Sequence, residues 1–190
     1  AKRLRKQLEQ RGVQFALQSG VTKIEQLEGN TLRVHYQKKG KDAFADAELV
    51  LMATGRAANV GSLGLENTEI AYTKAGITVD ENMQTNVPGV YAIGDVNGKQ
   101  MLAHAATFQG FRAVNHIVGH ADRILFNIVP AAIFTHPEVG SVGLSEDQCK
   151  EQGIAYKCRK GYYRSNGKAH AGNATEGMIK LMTDELSLIH

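Results

Sequence analysis

The chain has 190 residues, 43% of them hydrophobic, and its 22 Lys and Arg against 19 Asp and Glu give a formal net charge of +3. Such a chain can form one large globular domain or parts of two. The small charge excess does not favour a nucleic-acid-binding protein, because the basic stretch at residues 1–11 is typical of a solvated helix face. No apolar run is long enough for a transmembrane helix, and the first residues lack the apolar core of a signal peptide, so neither is predicted.

The first part of the sequence predicts a helix followed by short strands. Residues 2–11 have helical spacing of leucines and end at Gly12, a common helix stop. Residues 13–18 alternate in polarity and predict a strand. A β-meander is predicted over residues 21–48, with Gly29-Asn30 as one of its turns.

Two later segments differ from the meander because their apolar residues do not alternate. Leu49–Met52 in LVLMATG predicts a strand buried on both faces, ending at Gly55. In TNVPGVYAIGD, Pro88-Gly89 predicts a turn before a second buried strand, Val90–Ile93. A short strand, GITVD, lies between the two segments.

A helix is predicted from Met101 to Val118, with Gln109 and Ala113 among the residues on one face. Beyond Ala121 the pattern changes to that of an antiparallel α+β unit. Strands are predicted at residues 131–135, 139–145, 155–163 and 177–184, and a helix at residues 145–153.

The aspartate at the exit of the second apolar segment suggests a ligand site. Open α/β sheets bind ligands at the carboxyl ends of their strands, where Asp95 could accept hydrogen bonds from sugar-like hydroxyls. Gly94 leaves the backbone accessible, and the helix that begins near Met101 offers free N–H groups to a developing negative charge. Taken alone, these residues favour a simple turn aspartate over a ligand site.

The cysteines suggest no redox or metal chemistry. Cys149 and Cys158 stand nine residues apart, which matches neither a disulfide framework nor a metal-ligand spacing. Both are expected to be reduced, in a cytoplasmic protein.

Four motifs in fixed order resemble the pyridine nucleotide–disulfide oxidoreductases: LVLMATGR (49–56), TNVPGVYAIGDVNG (85–98), MLAHAATFQG (101–110) and FTHPEVGSVGLSE (134–146). Within that family, the third and fourth motifs are most similar to the dihydrolipoamide dehydrogenases. Mercuric and glutathione reductases share much of the pattern and remain alternatives.

The resemblance implies an α/β plus α+β architecture. Partial FAD- and NAD-binding Rossmann-like domains would precede part of an antiparallel interface (dimerisation) domain. The implied segments are residues 1–52 for the end of the NAD domain, 53–121 for the second part of the FAD domain, and 122–190 for the first part of the interface domain.

The resemblance also implies cofactor contacts for FAD. Asp95, beside Gly94, would bind the ribityl chain, and Ala103, with Met101 and Leu102, would present backbone N–H groups to the flavin pyrimidine edge. His104 would be a neighbour of the flavin and not a catalyst.

For NAD, the resemblance implies two further positions. Val21 would line the adenine side through its backbone, and Gly55 would lie near the nicotinamide cofactor, at the junction of the two cofactor domains.

The family's catalytic residues are not found in this sequence. It contains no Gly-x-Gly-x-x-Gly phosphate loop and no Cys-x4-Cys pair, and His136-Pro137-Glu138 is expected to be structural. The chain is therefore expected to be an incomplete segment with no catalytic residue of its own. The implied parent oxidises dihydrolipoamide on an acyltransferase as a homodimer, whereas the alternative of another class is a non-catalytic module that dimerises or docks.

Overall fold

The computed structural model describes residues 2–184. Residues 1 and 185–190, at the outer ends of the first and third predicted segments, lie outside the described residues. The chain divides into two compact units, the first ending at Gly55 and the second beginning at Arg56. The division into three domain segments remains a prediction.

The first unit is a helix followed by a three-stranded antiparallel meander, as predicted. Its elements are α1 (Lys2–Gln10), β1 (Ser19–Gln26), β2 (Leu32–Lys38) and β3 (Lys41–Ala47), with sheet order β1-β2-β3. Gly12, at φ 88°, ends the helix by donating its N–H to Glu9 O at 3.0 Å. Leu27 N–H donates to Thr31 O at 2.9 Å across the predicted Gly29-Asn30 turn.

The strand predicted over residues 13–18 is wrong, because β1 begins only at Ser19. Val13 N–H donates to Leu8 O at 3.1 Å, so the chain folds back onto the end of α1. Gln18 then adopts φ 56°, which an extended strand does not allow. The alternation of polarity over these six residues revealed neither the hydrogen bond of Val13 nor the positive φ of Gln18.

The second unit contains short hairpins and one long helix. Its elements are β4 (Tyr72–Thr73), β5 (Gly76–Ile77), α2 (Ala103–Ile117), β6 (Ala131–Ile133), β7 (Val139–Ser141), α3 (Glu146–Glu151), β8 (Lys157–Tyr162), α4 (Gly167–Ala171) and β9 (Met178–Thr183). The strands pair antiparallel as β4-β5, β6-β7 and β8-β9. The predicted long helix and the antiparallel α+β unit are confirmed.

Side-chain caps define the two short helices. Ser145 and Gln148 form a reciprocal capping box at the start of α3. Helix α4 was not predicted, although Asn166 accepts the Ala169 N–H at 3.0 Å and is a typical N-cap residue.

The two buried strands predicted at Leu49–Met52 and Val90–Ile93 are wrong. Leu49 and Leu51 are 83% and 84% exposed, and no described strand pairs with this segment. Val90–Ile93 forms only a short pairing, in which Ala92 N–H donates to Met83 O at 3.0 Å. An apolar run becomes a strand only where neighbouring strands satisfy its backbone groups, and the described residues supply none beside Leu49–Met52.

The Pro88-Gly89 turn is confirmed. Val90 N–H donates to Val87 O at 3.1 Å, and Gly89 has φ 78°, the positive value that the third residue of a type II turn requires. Next to it, a small core forms from the buried residues Leu65, Ile77 and Ala92. This core supports the segment that leads into Asp95.

Candidate functional site

Asp95 lies in a single 3-10 turn, Gly94–Asn97, directly after the Val90–Ile93 segment. Its side chain is 47% exposed, and Arg56 Nε lies 3.7 Å from its Oδ2. Gly94 has φ 74°, and a Cβ there would lie 3.3 Å from Ala106 Cβ. The turn therefore presents a carboxylate while its backbone lies close to helix α2.

Gly98 closes this turn by donating its N–H to Asp95 O at 3.2 Å. It adopts φ 67°, and a Cβ at this position would lie 1.9 Å from Ala75 O. The turn thus packs directly on the backbone between β4 and β5, and only glycine fits at residue 98.

Helix α2 begins beside the turn without a side-chain cap. Its N-cap is Leu102, in an extended conformation. The first hydrogen bond of the helix runs from Ala106 N–H to Leu102 O, at 3.0 Å. The N–H groups of Ala103, His104 and Ala105 precede that bond and find no acceptor within the helix. Together with the helix dipole they form a positive end suited to an anionic oxygen.

The predicted donors are not equivalent. Leu102 N–H already donates to Gln100 O at 3.0 Å, whereas Ala103 is exposed at the first helical position. Met101 and Leu102 are both half-buried. The assignment of these residues to a flavin remains a prediction.

His104 connects the start of α2 to the segment before β6. Its Nε2 lies 2.7 Å from Pro130 O, and because a carbonyl only accepts, Nε2 is the donor. This contact is consistent with a positioning role and gives the ring no catalytic partner.

A buried side chain joins the turn to the helix. Gln109 is 1% exposed, and its Oε1 accepts the Gly94 N–H at 2.7 Å and the Asn97 Nδ2–H at 2.9 Å. Asn97 Nδ2 also donates to Ala92 O at 3.0 Å. The carboxylate turn and the helix start are therefore parts of one hydrogen-bonded unit.

The middle of α2 is anchored to the segment that follows it. Arg112 Nε lies 2.9 and 2.8 Å from the two carboxylate oxygens of Asp122, and its other nitrogens donate to Glu81 O and Ile124 O at 3.0 and 2.7 Å. The hydrogen bond from Arg112, with a second from Ile124 N–H, lowers the pKa of Asp122 from 3.8 to about 2. Asp122 therefore stays ionised, and α2 is held firmly.

Val21 and Gly55 lie in the first unit. Val21 is 63% exposed and directly precedes an irregularity in the pairing of β1 with β2, at Thr22. Gly55 has φ 97°, and a Cβ there would meet no atom within 4 Å. Their proposed NAD contacts remain predictions.

A cavity of about 410 Å³ lies beside α2 and does not include Asp95. Met83, Gln100, Gln109, Arg112 and Phe126 are among its lining residues. Over residues 2–184, no cluster of three His, Cys, Asp or Glu side chains could hold a metal ion, and no helix is long and apolar enough to cross a membrane.

Sequence reasoning did not single out Gln109, Asn97 or Arg112 as supports of the site. The available signal was an amide, Gln109, on the otherwise apolar face of a predicted helix, because a buried polar side chain requires a partner. Neither its partners nor the Arg112–Asp122 pair follows from sequence spacing.

The chain belongs to the pyridine nucleotide-disulphide oxidoreductase family. The family model matches residues 1–110, and the model of the family's dimerisation domain matches residues 129–187. These matches confirm the predicted fold class and the family resemblance.

Among curated relatives, the dihydrolipoyl dehydrogenase of Chlamydia muridarum is 38% identical over 177 residues, which cover 93% of this chain and 37% of that protein. The crystal structure of LpdA from Mycobacterium tuberculosis superposes with a TM-score of 0.85 at 26% identity, covering 96% of this chain and 39% of LpdA. The HOCl-induced flavoprotein disulfide reductase RclA from Escherichia coli gives a TM-score of 0.82 at 25% identity, covering 97% and 42% of the two chains. The chain thus spans about 37% of the length of the curated relative.

Proposed function

We propose that this chain is part of an FAD-dependent dihydrolipoyl dehydrogenase, in which it supplies contacts to the flavin. The observation that carries the proposal is the Asp95 carboxylate held on the same hydrogen-bonded unit as the uncapped start of α2. The relationship to dihydrolipoyl dehydrogenases supports the substrate class.

The residues present fit two parts of such a cofactor, its polyol chain and the edge of its flavin ring. Asp95 offers a half-exposed carboxylate for the hydroxyls of a polyol, next to a glycine that leaves the backbone open. The exposed first residues of α2, Ala103 and His104, offer N–H groups for an oxygen that becomes negative. Val21 and Gly55 are proposed NAD contacts by family resemblance alone.

When bound, FAD carries two electrons from a dithiol to NAD+, a step that protein side chains alone do not perform. In this chain, Asp95 would hold and orient the polyol, and the α2 amides would stabilise negative charge. No residue of the chain is assigned to proton transfer or to nucleophilic attack.

The function is tested by assaying the complete gene product with dihydrolipoamide, oxidised glutathione and Hg(II) as alternative substrates. NAD+ reduction with dihydrolipoamide is expected to dominate. Preference for glutathione or Hg(II) would replace the proposed function with that of another disulfide or mercuric reductase, an alternative that the structural similarity to RclA keeps relevant.

The flavin assignment is tested by FAD content. In the Asp95→Ala variant, the amount of FAD bound per protein chain is expected to fall by more than tenfold, because a hydrogen-bonding charged group is lost. Asp147→Ala, an exposed aspartate in the first turn of α3, serves as the matched control. Equal FAD content in both variants would contradict the assignment.

The 190-residue chain expressed alone is proposed to be inactive, because its sequence contains neither a Gly-x-Gly-x-x-Gly loop for the cofactor phosphates nor the family's Cys-x4-Cys pair. NADH-dependent dye reduction by the purified chain would contradict this. Size-exclusion chromatography with and without FAD tests the remaining alternative, since a stable FAD-free dimer would favour a docking or dimerisation module.

The proposed partners are a second copy of the protein and a lipoyl-bearing acyltransferase of a 2-oxo acid dehydrogenase complex. The match to the dimerisation-domain model supports the first, and the names of the relatives support the second. A cytoplasmic location is proposed because both cysteines are free thiols, and cell fractionation tests it.

A further inference from the structure

We propose that Gln109 is a positioning residue that fixes the direction of the Asp95 carboxylate. The inference rests on the proposed flavin function and assigns a new role within that site. Gln109 would not touch the cofactor and would act through the Gly94–Asn97 turn.

The amide oxygen of Gln109 has two partners that can only donate. Gly94 N–H and Asn97 Nδ2–H lie 2.7 and 2.9 Å from Oε1, which fixes this atom as the oxygen of the amide. The two donors stand on either side of Asp95 in the sequence. One buried acceptor therefore clamps both ends of the turn that carries the carboxylate.

The Asp95 side chain itself has little to hold it. It is 47% exposed, and its ion-pair partner among the described residues, Arg56, is 80% exposed at 3.7 Å. Such a pair orders a side chain weakly, because both groups remain solvated. The backbone of the turn consequently sets the direction of the Asp95 Cα–Cβ bond, and with it the region that the carboxylate can reach.

Gln109 also links the two halves of the proposed site. It lies on α2 less than two turns after the exposed N–H groups of Ala103 and His104, and a helix is stiff over that length. Fixing the turn to Gln109 therefore fixes the separation between the carboxylate and those amides. A cofactor that contacts both would find them already in place.

The test compares FAD dissociation constants for the complete gene product. Gln109→Met has similar size and lacks the acceptor, so FAD is expected to bind about tenfold more weakly. Gln109→Glu keeps an acceptor oxygen in either protonation state and is expected to remain within about twofold of the wild type. If Gln109→Met does not fold, Gln109→Asn, which withdraws the amide by one methylene, replaces it in the same comparison.

The chain provides a matched control at Gln148. Its Oε1 accepts a backbone N–H, that of Ser145, at 2.8 Å, just as Gln109 accepts that of Gly94. Gln148→Met removes a single, exposed bond of the same chemical kind from another part of the chain, and is expected to lower thermal stability without changing FAD affinity.

A double-mutant cycle separates positioning from general support of the fold. In an Asp95→Ala background, Gln109→Met is expected to have almost no further effect on FAD affinity, because the group that it positions is gone. Wild-type FAD affinity in Gln109→Met, or an equal loss in both backgrounds, would overturn the inference. Failure of the wild-type protein to bind FAD would overturn the proposed function and the inference together.

Discussion

In the first unit, strands β1, β2 and β3 follow one another in sequence and each pairs with its neighbour, whereas around α2 the contacts join distant residues. Gln109 reaches Gly94, Gln100 Nε2 donates to Phe126 O at 2.9 Å, and Arg112 reaches Glu81 O, 31 residues away. Most of these are side-chain bonds to backbone groups. The comparison shows that the meander depends on local pairing, while the candidate site depends on a few buried side chains.

The largest expected difference between the two regions is the loss of stability when alanine replaces a turn glycine, Gly98 beside α2 or Gly29 in the meander. Gly98→Ala places a Cβ against Ala75 O at φ 67°, and is expected to cost about 3 kcal/mol of stability from clash and backbone strain together. Gly29→Ala, at φ 72° with no atom within 4 Å of the new Cβ, is expected to cost about 1 kcal/mol. Urea unfolding of the complete gene product measures both, and equal costs would remove the distinction between the regions.

The next largest difference is expected between the two Arg–Asp ion pairs, Arg112–Asp122 and Arg33–Asp46, in the stability that each contributes. Arg112→Met removes the ion pair with Asp122 and the donor to two backbone carbonyls, and is expected to cost about 2–3 kcal/mol, since the Arg112 side chain is only 17% exposed. Arg33 makes a bidentate pair with Asp46 at 2.7 Å and lies over the Phe44 ring, but keeps 30% exposure. Arg33→Met is expected to cost clearly less than Arg112→Met, because the Arg33–Asp46 pair remains partly solvated.

Amide hydrogen exchange shows which elements lose stability in the Arg112→Met and Arg33→Met variants. Arg112→Met should accelerate exchange at amides of α2 and of residues 122–126, and Arg33→Met at amides of β2 and β3. Equal losses of protection in the two variants would show that burial does not distinguish the pairs.

The smallest and most specific expected effect is the loss, at acid pH, of the stability that the Asp122 carboxylate contributes. The pKa of Asp122 falls from 3.8 to about 2 on folding, so its contribution is complete above pH 3.8 and is lost as the pH falls toward 2. The stability difference between the wild type and Asp122→Asn should therefore shrink over that interval. The Arg33 hydrogen bond lowers the pKa of Asp46 as well, so Asp46→Asn should show a loss of the same sign. A difference that grows toward pH 2 would contradict the assigned direction.

The sequence allowed the meander and α2 to be predicted because their signals are local. Alternation at Leu32, Val34 and Tyr36, the turn at Gly29-Asn30 and the small residues at the start of α2 need no distant partner. Leu49–Met52 has the composition of a buried strand, but strand formation depends on neighbours that composition does not reveal.

The candidate site divides in the same way. Asp95, Gly94 and the start of α2 were identified from the end of an apolar run and the beginning of a helix. Gln109 was placed on one face of α2 with Ala113, and both are buried in the structure, but the two hydrogen bonds of Gln109 depend on the path of residues 92–97 in space. Three-dimensional placement of backbone donors is information that periodicity does not carry.

The contact between His104 and Pro130 has a further chemical consequence. Because Pro130 O accepts from Nε2, this nitrogen keeps its hydrogen, and the neutral imidazole exists as a single tautomer. Nδ1 is then the ring nitrogen that is left as an acceptor. Nitrogen-15 spectra of the neutral imidazole would show the hydrogen on Nε2 and none on Nδ1, a signature that can be read without any enzyme assay.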